Sequence, residues 1–379
     1  MSDTPWMIPL SDVALRPELS QAASDVVASG WWSMGPKVAE FEAAFADALA
    51  ARHALAVANG TAALHLALLA LDYGPGDEVV LPSLTFVAAA NTIRRVGATP
   101  VFCDIVGDGD LNLDPDDLRQ AVTPATRAIL VFHYGGFPCD MASVLDVAET
   151  TEVRVIEDSA HAPGSLWNGQ SCGTIGDIGC FSFFANKNLP IGEGGMVVTG
   201  DEELADRLRL LRSHGMTTLT WDRERGHAST YDVVVPGLNY RLDEIRAAIG
   251  LVQLGFLAEE NAARARLARL YRDALHGVDG YAMAFADRLG DEASAHHLAV
   301  ALVPDAASRD EIRSRLAQRR VQTSVHYPPI HQFSAYRNGR PSRALPQTED
   351  AAARAITLPL FAGMTEDQID LVVDALLDQ

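Results

Sequence analysis

The sequence predicts an α/β fold in which a mostly parallel sheet is covered by helices on both faces. This class is indicated by short apolar segments of strand length that alternate with helical segments. A second observation, 48% hydrophobic with 21% charged residues, is typical of a globular protein. A third, the length of 379 residues, exceeds what one core usually holds. We therefore expect a large domain with an N-terminal arm at residues 1–250 and a smaller C-terminal α/β domain at residues 251–379.

Composition excludes several kinds of partner. A net charge of −20 argues against nucleic acid or an anionic membrane, so an anionic substrate would need a local cluster of Arg and His. The four cysteines are scattered without a CxxC pair, which indicates a reduced compartment and no metal site. Neither a signal peptide nor an apolar window long enough to cross a bilayer is visible. These features favour a cytoplasmic protein.

The first part of the chain predicts a strand, a turn and a helix. After an arm and a helix beginning at Pro36, an apolar strand at 54–58 runs through Asn59, Gly60 and Thr61 into a helix at 62–71. The unpaired N–H groups and the dipole of such a helix start can bind an anion. An ordinary connection between a strand and a helix is the alternative interpretation.

The alternation continues along the chain, with further strands expected at 79–81, 99–102, 127–132, 153–156, 178–183 and 196–199. Ligands on such sheets bind at the carboxyl ends of the strands. Asp158 follows the strand at 153–156 and would face that edge, although capping the next segment is an alternative role. Ser182 and Lys187 would reach the same edge from the strand at 178–183.

Lys187 stands out because the chain contains only two lysines, Lys37 and Lys187, among 30 basic residues. Arginine is not deprotonated at usable pH, whereas a partly desolvated lysine can become a nucleophilic amine. An apolar run precedes Lys187 and a Gly-rich turn follows it, which suits desolvation and close approach of a ligand. A surface lysine without a role is the alternative.

The C-terminal part begins with a long loop. Residues 214–240 lack periodicity and end at Asn239-Tyr240-Arg241, and a segment of this length is more often functional than accidental. A long helix is expected at 242–276 and strands at 297–303 and 321–326. A capping box at Ser308–Glu311 would begin one helix, and Thr365–Gln368 would begin the last.

One cofactor explains the polar groups at the sheet edge. Pyridoxal phosphate (PLP) needs a lysine for its aldehyde, a carboxylate for its ring nitrogen, donors for its phosphate and a cover for its flat ring. The chain supplies these in turn through Lys187, Asp158, the donors Gly60, Thr61 and Ser182, and Phe86. The joint match is more specific than any single member of the set.

The sequence also resembles the DegT/StrS-type nucleotide-sugar aminotransferases, over nearly its whole length from Gly35 to Phe361. The resemblance rests on Asn59–Leu64, Gly76–Val79, Pro82–Phe86, Glu157–Ala162, Phe181–Phe183, Lys187-Asn188, Gly192–Gly195 and Gly237–Ile245. It implies PLP-dependent fold type I, with a mixed, mostly parallel seven-stranded sheet in the large domain. It also implies a homodimer with shared active sites.

The resemblance implies a role for individual residues. Lys187 would hold PLP covalently and later move the proton, and Asp158 would pair with the ring nitrogen. Further cofactor contacts are implied for Gly60, Thr61 and Ser182 at the phosphate, Phe86 and His161 at the ring, and Asn239 at the phosphate of the neighbouring subunit. Substrate contacts are expected for Arg241, His326 and Tyr327; for Arg241 a surface ion pair is the alternative.

The implied reaction moves an amino group from glutamate or glutamine to a keto-sugar nucleotide. Lys187, where some relatives carry histidine and act as dehydratases, favours transamination. Relatives acting at C4 tend to carry the equivalents of His161 and Glu193, so the expected substrate is a dTDP- or UDP-linked 4-keto-6-deoxy sugar, giving a 4-amino-4,6-dideoxy sugar. Amination of a 3-keto sugar or a cyclitol, a lyase, a PLP-binding regulator without turnover and a purely structural α/β protein are the alternatives. At 184–186 the chain reads Phe-Ala-Asn where many relatives read His-Pro-Thr.

Overall fold

The computed structural model describes residues 6–218, 230–291, 293–337 and 343–378. Its strands are β1 (His53–Val57), β2 (Glu78–Pro82), β3 (Thr99–Cys103), β4 (Ile105–Gly107), β5 (Asp110–Leu113), β6 (Thr126–Phe132), β7 (Arg154–Asp158), β8 (Leu166–Trp167), β9 (Gln170–Ser171), β10 (Ile178–Ser182), β11 (Gly195–Thr199), β12 (Ala282–Met283), β13 (Ala299–Leu302) and β14 (Ala355–Leu358). Its α-helices are α1 (Pro17–Ser29), α2 (Pro36–Leu49), α3 (Gly60–Ala70), α4 (Ala88–Arg95), α5 (Pro115–Ala121), α6 (Met141–Thr151), α7 (Glu202–Arg212), α8 (Glu244–Leu275), α9 (Ala306–Gln318), α10 (Pro346–Arg354) and α11 (Glu366–Leu377).

A seven-stranded sheet forms the centre of the molecule, in the order β1-β11-β10-β7-β6-β2-β3. Strand β11 runs antiparallel to both of its neighbours, and the other neighbouring pairs are parallel. The predicted mixed, mostly parallel sheet is therefore confirmed. Because β6, β7 and β10 are parallel neighbours, their carboxyl ends meet at one edge, which brings Phe132, Asp158 and Ser182 together.

Helices cover both faces of this sheet because each presents an apolar stripe to it. Helices α3, α4 and α7 pack on one face. On the other face, α5 and α6 cover one end and α2 the other, where Phe45 of α2 lies edge-on to Phe181 with ring centroids 5.1 Å apart. Each fully buried aromatic or aliphatic side chain of this kind contributes about 1.5–3 kcal/mol to stability.

Helix α8 joins the large sheet to the C-terminal part of the chain. It runs unbroken for 32 residues, so the predicted boundary at residues 250–251 lies within it. Its last turns pack with the antiparallel sheet β12-β13-β14 in one core, which also contains Ile8 from the N-terminal arm. Ile8 forms a parallel bridge with Val321, so the arm contacts the C-terminal part. The division into two domains stays a prediction.

Two predictions for the C-terminal part are wrong. Helix α9 begins earlier than the expected capping box, because the Asp305 side chain accepts a hydrogen bond from the Ser308 backbone N–H at 2.9 Å and caps the helix itself. The expected strand at 321–326 is reduced to isolated bridges at Val321 and Ser324. The capping box at Thr365 is confirmed. In the described ranges, no helix combines the length and apolar character that crossing a bilayer requires.

Candidate active site

A cavity of about 400 Å³ lies where the carboxyl ends of β7 and β10 meet the beginning of α3. Its size falls within the usual range for small-molecule and cofactor sites. Nine of the eleven predicted site residues line it: Gly60, Thr61, Phe86, Asp158, His161, Ser182, Lys187, His326 and Tyr327. Asn239 and Arg241 do not.

Lys187 lies on the turn that follows β10, where its backbone N–H donates to the Phe184 carbonyl at 2.9 Å. Burial of its amine lowers the pKa of Lys187 to about 8, and the nearby charge of Asp158 opposes this. Burial raises the pKa of Asp158 to about 6, opposed by the N–H of Ala160 and by Lys187. The site thus holds an amine that can be neutral near physiological pH and a carboxylate whose charge a bound cation would stabilise.

The first turn of α3 provides the anion-binding end of the cavity. The Asn59 side chain accepts the Ala62 N–H at 2.8 Å, while the helix geometry leaves the N–H groups of Gly60 and Thr61 without intrahelical partners. A Cβ at Gly60 would lie 2.8 Å from the Ser182 Cβ, so only glycine fits without a shift. These N–H groups and the Ser182 hydroxyl form a cradle of hydrogen-bond donors that suits a phosphate.

Aromatic side chains border the space between the amine and the cradle. Phe86 is 53% exposed at the mouth, with its ring centroid 5.9 Å from that of Tyr327. His161 is 1% exposed, and its ring lies 4.8 Å from Phe132 and 4.2 Å from His297, centroid to centroid. Together with the amine, the carboxylate and the phosphate cradle, these rings give a set of groups that fits PLP.

Asn239 and Arg241 lie outside this cavity. Residues 219–229 of the predicted loop lie outside the described residues, but Asn239 is exposed and bridges Ser213. Arg241 is half-buried beside Val57, and its Nη1 has no hydrogen-bond partner within the described ranges. Burial lowers the pKa of Arg241, and the nearby charge of Arg212 lowers it further.

Some residues that line the cavity were not predicted to contact a ligand. Phe132, Phe184 and Asn186 are among them. Glu193 also lines the cavity, although in the sequence it indicated only the position of amination. Phe132 ends β6 and could have been found from the rule that strand ends meet ligands. Phe184 and Asn186 belong to the three residues that replace His-Pro-Thr, and Asn186 Oδ1 is buried without a partner in the part of the chain that the structure describes.

A larger cavity of about 590 Å³ lies at the outer edge of the sheet, beside β3. It is lined by Arg94, Tyr336 and Arg343 among others, and none of the predicted site residues borders it. Arg94 donates to the Ala335 carbonyl and Arg343 is paired with Asp117, so its cations already have partners. The smaller cavity is therefore the candidate active site.

The fold and the site together define the class of α/β enzymes that use PLP. The chain belongs to the DegT/DnrJ/EryC1/StrS aminotransferase family, whose model matches residues 14–377. It is a PLP-dependent aminotransferase of fold type I, as predicted.

Three relatives illustrate the similarity. The spore coat polysaccharide biosynthesis protein SpsC of Bacillus subtilis (strain 168) is 40% identical, over 99% of this chain and 96% of that protein. The sugar aminotransferase CalS13 from Micromonospora echinospora is 34% identical, covers 98% of this chain and 100% of its own, and has a TM-score of 0.89. Spr1654 from Streptococcus pneumoniae, solved in its PLP form, is 29% identical over 97% of both chains, with a TM-score of 0.90.

Proposed function

We propose that this protein transfers an amino group from glutamate or glutamine to C4 of a dTDP- or UDP-linked 4-keto-6-deoxy sugar, giving a 4-amino-4,6-dideoxy sugar nucleotide. The observation that carries the proposal is that Lys187, Asp158, His161 and Glu193 line one cavity. A sugar as acceptor is supported by the similarity to CalS13, a sugar aminotransferase, and to SpsC, a spore coat polysaccharide biosynthesis protein.

Lys187 performs the proton transfers in this proposal. When bound, PLP supplies an electron sink for the carbon that loses its proton. With its pKa lowered to about 8, the neutral amine of Lys187 can accept the proton of the amino donor at Nζ and deliver it again as a general acid. The same amine holds the cofactor between turnovers.

Asp158 keeps the far end of the cofactor charged. It is 4% exposed at the end of β7, where bulk water cannot screen its charge. A protonated ring nitrogen beside it would lower its pKa again, because the carboxylate then has a cationic partner. Gly60, Thr61 and Ser182 bind the phosphate and fix the ring relative to Lys187.

The proposed position of amination depends on two residues that line the cavity, His161 and Glu193. His161 lies on the inner wall of the cavity, whereas Glu193 is exposed. In the family resemblance this pair accompanies amination at C4. Because Glu193 is an acceptor, it suits a sugar hydroxyl better than the diphosphate.

The experiment that tests the proposal is amination of a panel of 4-keto and 3-keto sugar nucleotides, with dTDP and UDP carriers and with glutamate or glutamine as donor. Product regiochemistry is read by NMR. Turnover of the 4-keto substrates alone supports the proposal. Efficient turnover of a 3-keto sugar or a cyclitol ketone, with none of the 4-keto substrates, would overturn the position and leave the aminotransferase assignment intact.

We also propose that the protein is a homodimer in which each active site includes residues of the other chain. Phe86 and Phe184 line the cavity and are 53% and 45% exposed, and Val233 and Val234 of the predicted loop are 52% and 56% exposed. Exposed apolar side chains that come together in a patch mark interaction surfaces. Asn239 is exposed in the same segment as Val233 and Val234, so a docked copy could receive its amide at the phosphate cradle.

A further inference from the structure

The two nitrogens of His161 have different partners, which fixes the position of its proton. The backbone N–H of Gly135 donates to Nδ1 at 3.3 Å, while Nε2 lies 3.0 Å from the Tyr327 hydroxyl oxygen. A backbone N–H can only donate, so Nδ1 carries no proton. In a neutral ring the proton must then be on Nε2, from which it donates to Tyr327.

The turn that presents the Gly135 N–H is held from both sides. The Gly135 carbonyl accepts the N–H groups of His297 at 2.8 Å and Leu298 at 3.3 Å, and Gly136 donates to the His133 carbonyl at 3.1 Å. Gly135 has φ of +64°, a left-handed conformation that glycine adopts without strain. The N–H that sets the tautomer of His161 is thus a rigid part of the fold.

The surroundings keep the imidazole of His161 neutral. Burial lowers the pKa of His161 well below its ordinary value, and the charge of Lys187 lowers it further. A protonated ring would also place an N–H against the N–H of Gly135. Geometry and electrostatics therefore favour the same form.

The neighbouring ring of His297 is fixed independently. Asn188 donates its two amide protons to the Asn261 side-chain oxygen at 2.8 Å and to the Ala295 carbonyl at 2.7 Å. Because the Ala295 carbonyl can only accept, the oxygen of Asn188 must face His297 Nδ1, 2.9 Å away, and that nitrogen carries the proton. His297 therefore donates its Nδ1 proton to Asn188 and not to His161. The tautomer of His161 follows from its own contacts with Gly135 and Tyr327.

The Tyr327 hydroxyl accepts a hydrogen bond from His161, so its own proton must be donated to a different acceptor. Tyr327 lines the cavity with its ring centroid 5.9 Å from that of Phe86 and 6.3 Å from that of Phe132. Among the described residues its hydroxyl has no hydrogen-bond partner besides His161, so the space for ligand is the direction left for the O–H. We infer that Tyr327 donates its hydroxyl proton to an oxygen of the bound sugar, and that His161 is the positioning residue that fixes this direction. The sugar as acceptor rests on the proposed function, whereas the direction does not.

Neutron diffraction from crystals of the deuterated PLP-loaded protein tests the direction without any turnover. We expect deuterium on Nε2 of His161 and none on Nδ1, with the O–D of Tyr327 pointing away from His161. Deuterium on Nδ1, or a Tyr327 O–D directed at His161 Nε2, would overturn the inference. This result is independent of which ketone the enzyme accepts.

A double-mutant cycle tests the coupling to the substrate. Tyr327→Phe should raise KM for the sugar roughly three- to tenfold, as expected for one lost hydrogen bond, with a smaller change in kcat. In a His161→Leu background the same change should cost little, because the hydroxyl is no longer aimed, whereas His161→Gln can restore both hydrogen bonds and part of the penalty. Tyr281→Phe is the matched control, because Tyr281 does not line the cavity and its hydroxyl donates to the Leu376 carbonyl. Equal penalties for Tyr327→Phe in both backgrounds would contradict a positioning role for His161.

The acceptor is identified by comparing two effects of Tyr327→Phe: the effect on PLP binding without sugar and the effect on KM for the sugar. If Tyr327 donates to the sugar, Tyr327→Phe leaves the absorbance spectrum and the affinity of bound PLP unchanged. A shifted spectrum with unchanged KM for the sugar would instead place the acceptor on the cofactor and overturn the sugar assignment. Failure of every sugar nucleotide as a substrate refutes the proposed function and the acceptor, while the neutron result still decides the direction.

Discussion

The inner and outer walls of the cavity are built differently. The inner wall consists of strand ends and the turns that follow them, and Asp158 and His161 there are 4% and 1% exposed. The outer wall consists of Phe86 and Phe184, which are about half exposed, with Asn239 and Arg241 beyond the cavity. One chain therefore completes the part of the site to which we assign proton transfer, but leaves open the part that would close over the cofactor and the substrate.

This difference separates two kinds of substitution. Changes on the inner wall alter the pKa of a reacting group, so their effect on the chemical step should be large in any oligomeric state. Changes on the outer wall act through closure or through the second chain, so they should be rescued by a partner that supplies the missing residue.

The largest effect is expected for Lys187→Arg. The substitution retains a positive charge but removes the amine that can lose its proton, so turnover should fall by roughly 10³-fold or more. The control is Lys37→Arg, since Lys37 forms a surface pair with Glu40 at 2.6 Å and should give wild-type rates. Borohydride reduction followed by peptide mapping should place the pyridoxyl group on Lys187. An adduct on Lys37 would remove Lys187 from its proposed role.

Asp158→Asn should lower the rate of amination roughly 10²- to 10³-fold, because a neutral amide cannot stabilise a protonated ring nitrogen. The same variant should stabilise the cofactor-free protein. Burial raises the pKa of Asp158 from 3.8 to about 6, so the native state binds more protons than the unfolded state between these values. Stability of the wild type should therefore decrease as pH rises through this range, and the variant should lack this contribution.

Thermal melts of the cofactor-free proteins at pH 4 and pH 7 measure this difference. We expect the Tm of Asp158→Asn to exceed that of the wild type at pH 7 by more than at pH 4. A variant that is less stable at pH 7 and equally inactive would indicate a structural defect. Wild-type rates in Asp158→Asn would exclude the carboxylate from the reaction.

The inner wall could be predicted from sequence because its signals are local. Asp158 ends an apolar strand, Gly60 and Thr61 begin a helix after another, and Lys187 is one of two lysines. Each signal lies within a few residues of the chain, and the rule that parallel strands end at one edge brings them together.

Other features depend on residues far apart in sequence, which local patterns do not report. The contact of Tyr327 with His161 spans 166 residues, and the parallel bridge of Ile8 with Val321 joins the two ends of the chain. The predicted strand at 321–326 failed for this reason, because its β-type residues found only isolated partners. At α9 the error was local: Asp305 and Ser308 are both good caps, and the earlier one begins the helix.

The outer wall is tested by complementation between two inactive chains. The Lys187→Ala chain lacks the amine but retains Asn239 and Arg241. A chain with Asn239→Ala and Arg241→Ala retains the amine but cannot supply these two side chains to the site of its partner. Each homodimer should be weak or inactive. A purified heterodimer should contain one intact site, with roughly half the activity of the wild-type dimer. A heterodimer no more active than its parents, or an active monomer in sedimentation, would contradict a shared site.

The smallest effect is expected at Gly60, where the inner wall meets the phosphate. Gly60→Ala places a Cβ 2.8 Å from the Ser182 Cβ and 3.1 Å from its Oγ, so Ser182 must move away from the cradle. Overpacking of this kind costs about 1–3 kcal/mol, and part of this cost should appear as weaker PLP binding, measured by equilibrium titration of the cofactor-free protein.

Gly255→Ala is the matched control, because it also replaces a glycine by alanine, within α8, and a Cβ there meets nothing within 4 Å. It should leave PLP affinity unchanged and raise the Tm slightly. Equal PLP affinity in Gly60→Ala and wild type would show that Ser182 can shift without loosening the cradle, and the phosphate would then depend mainly on the N–H groups of α3.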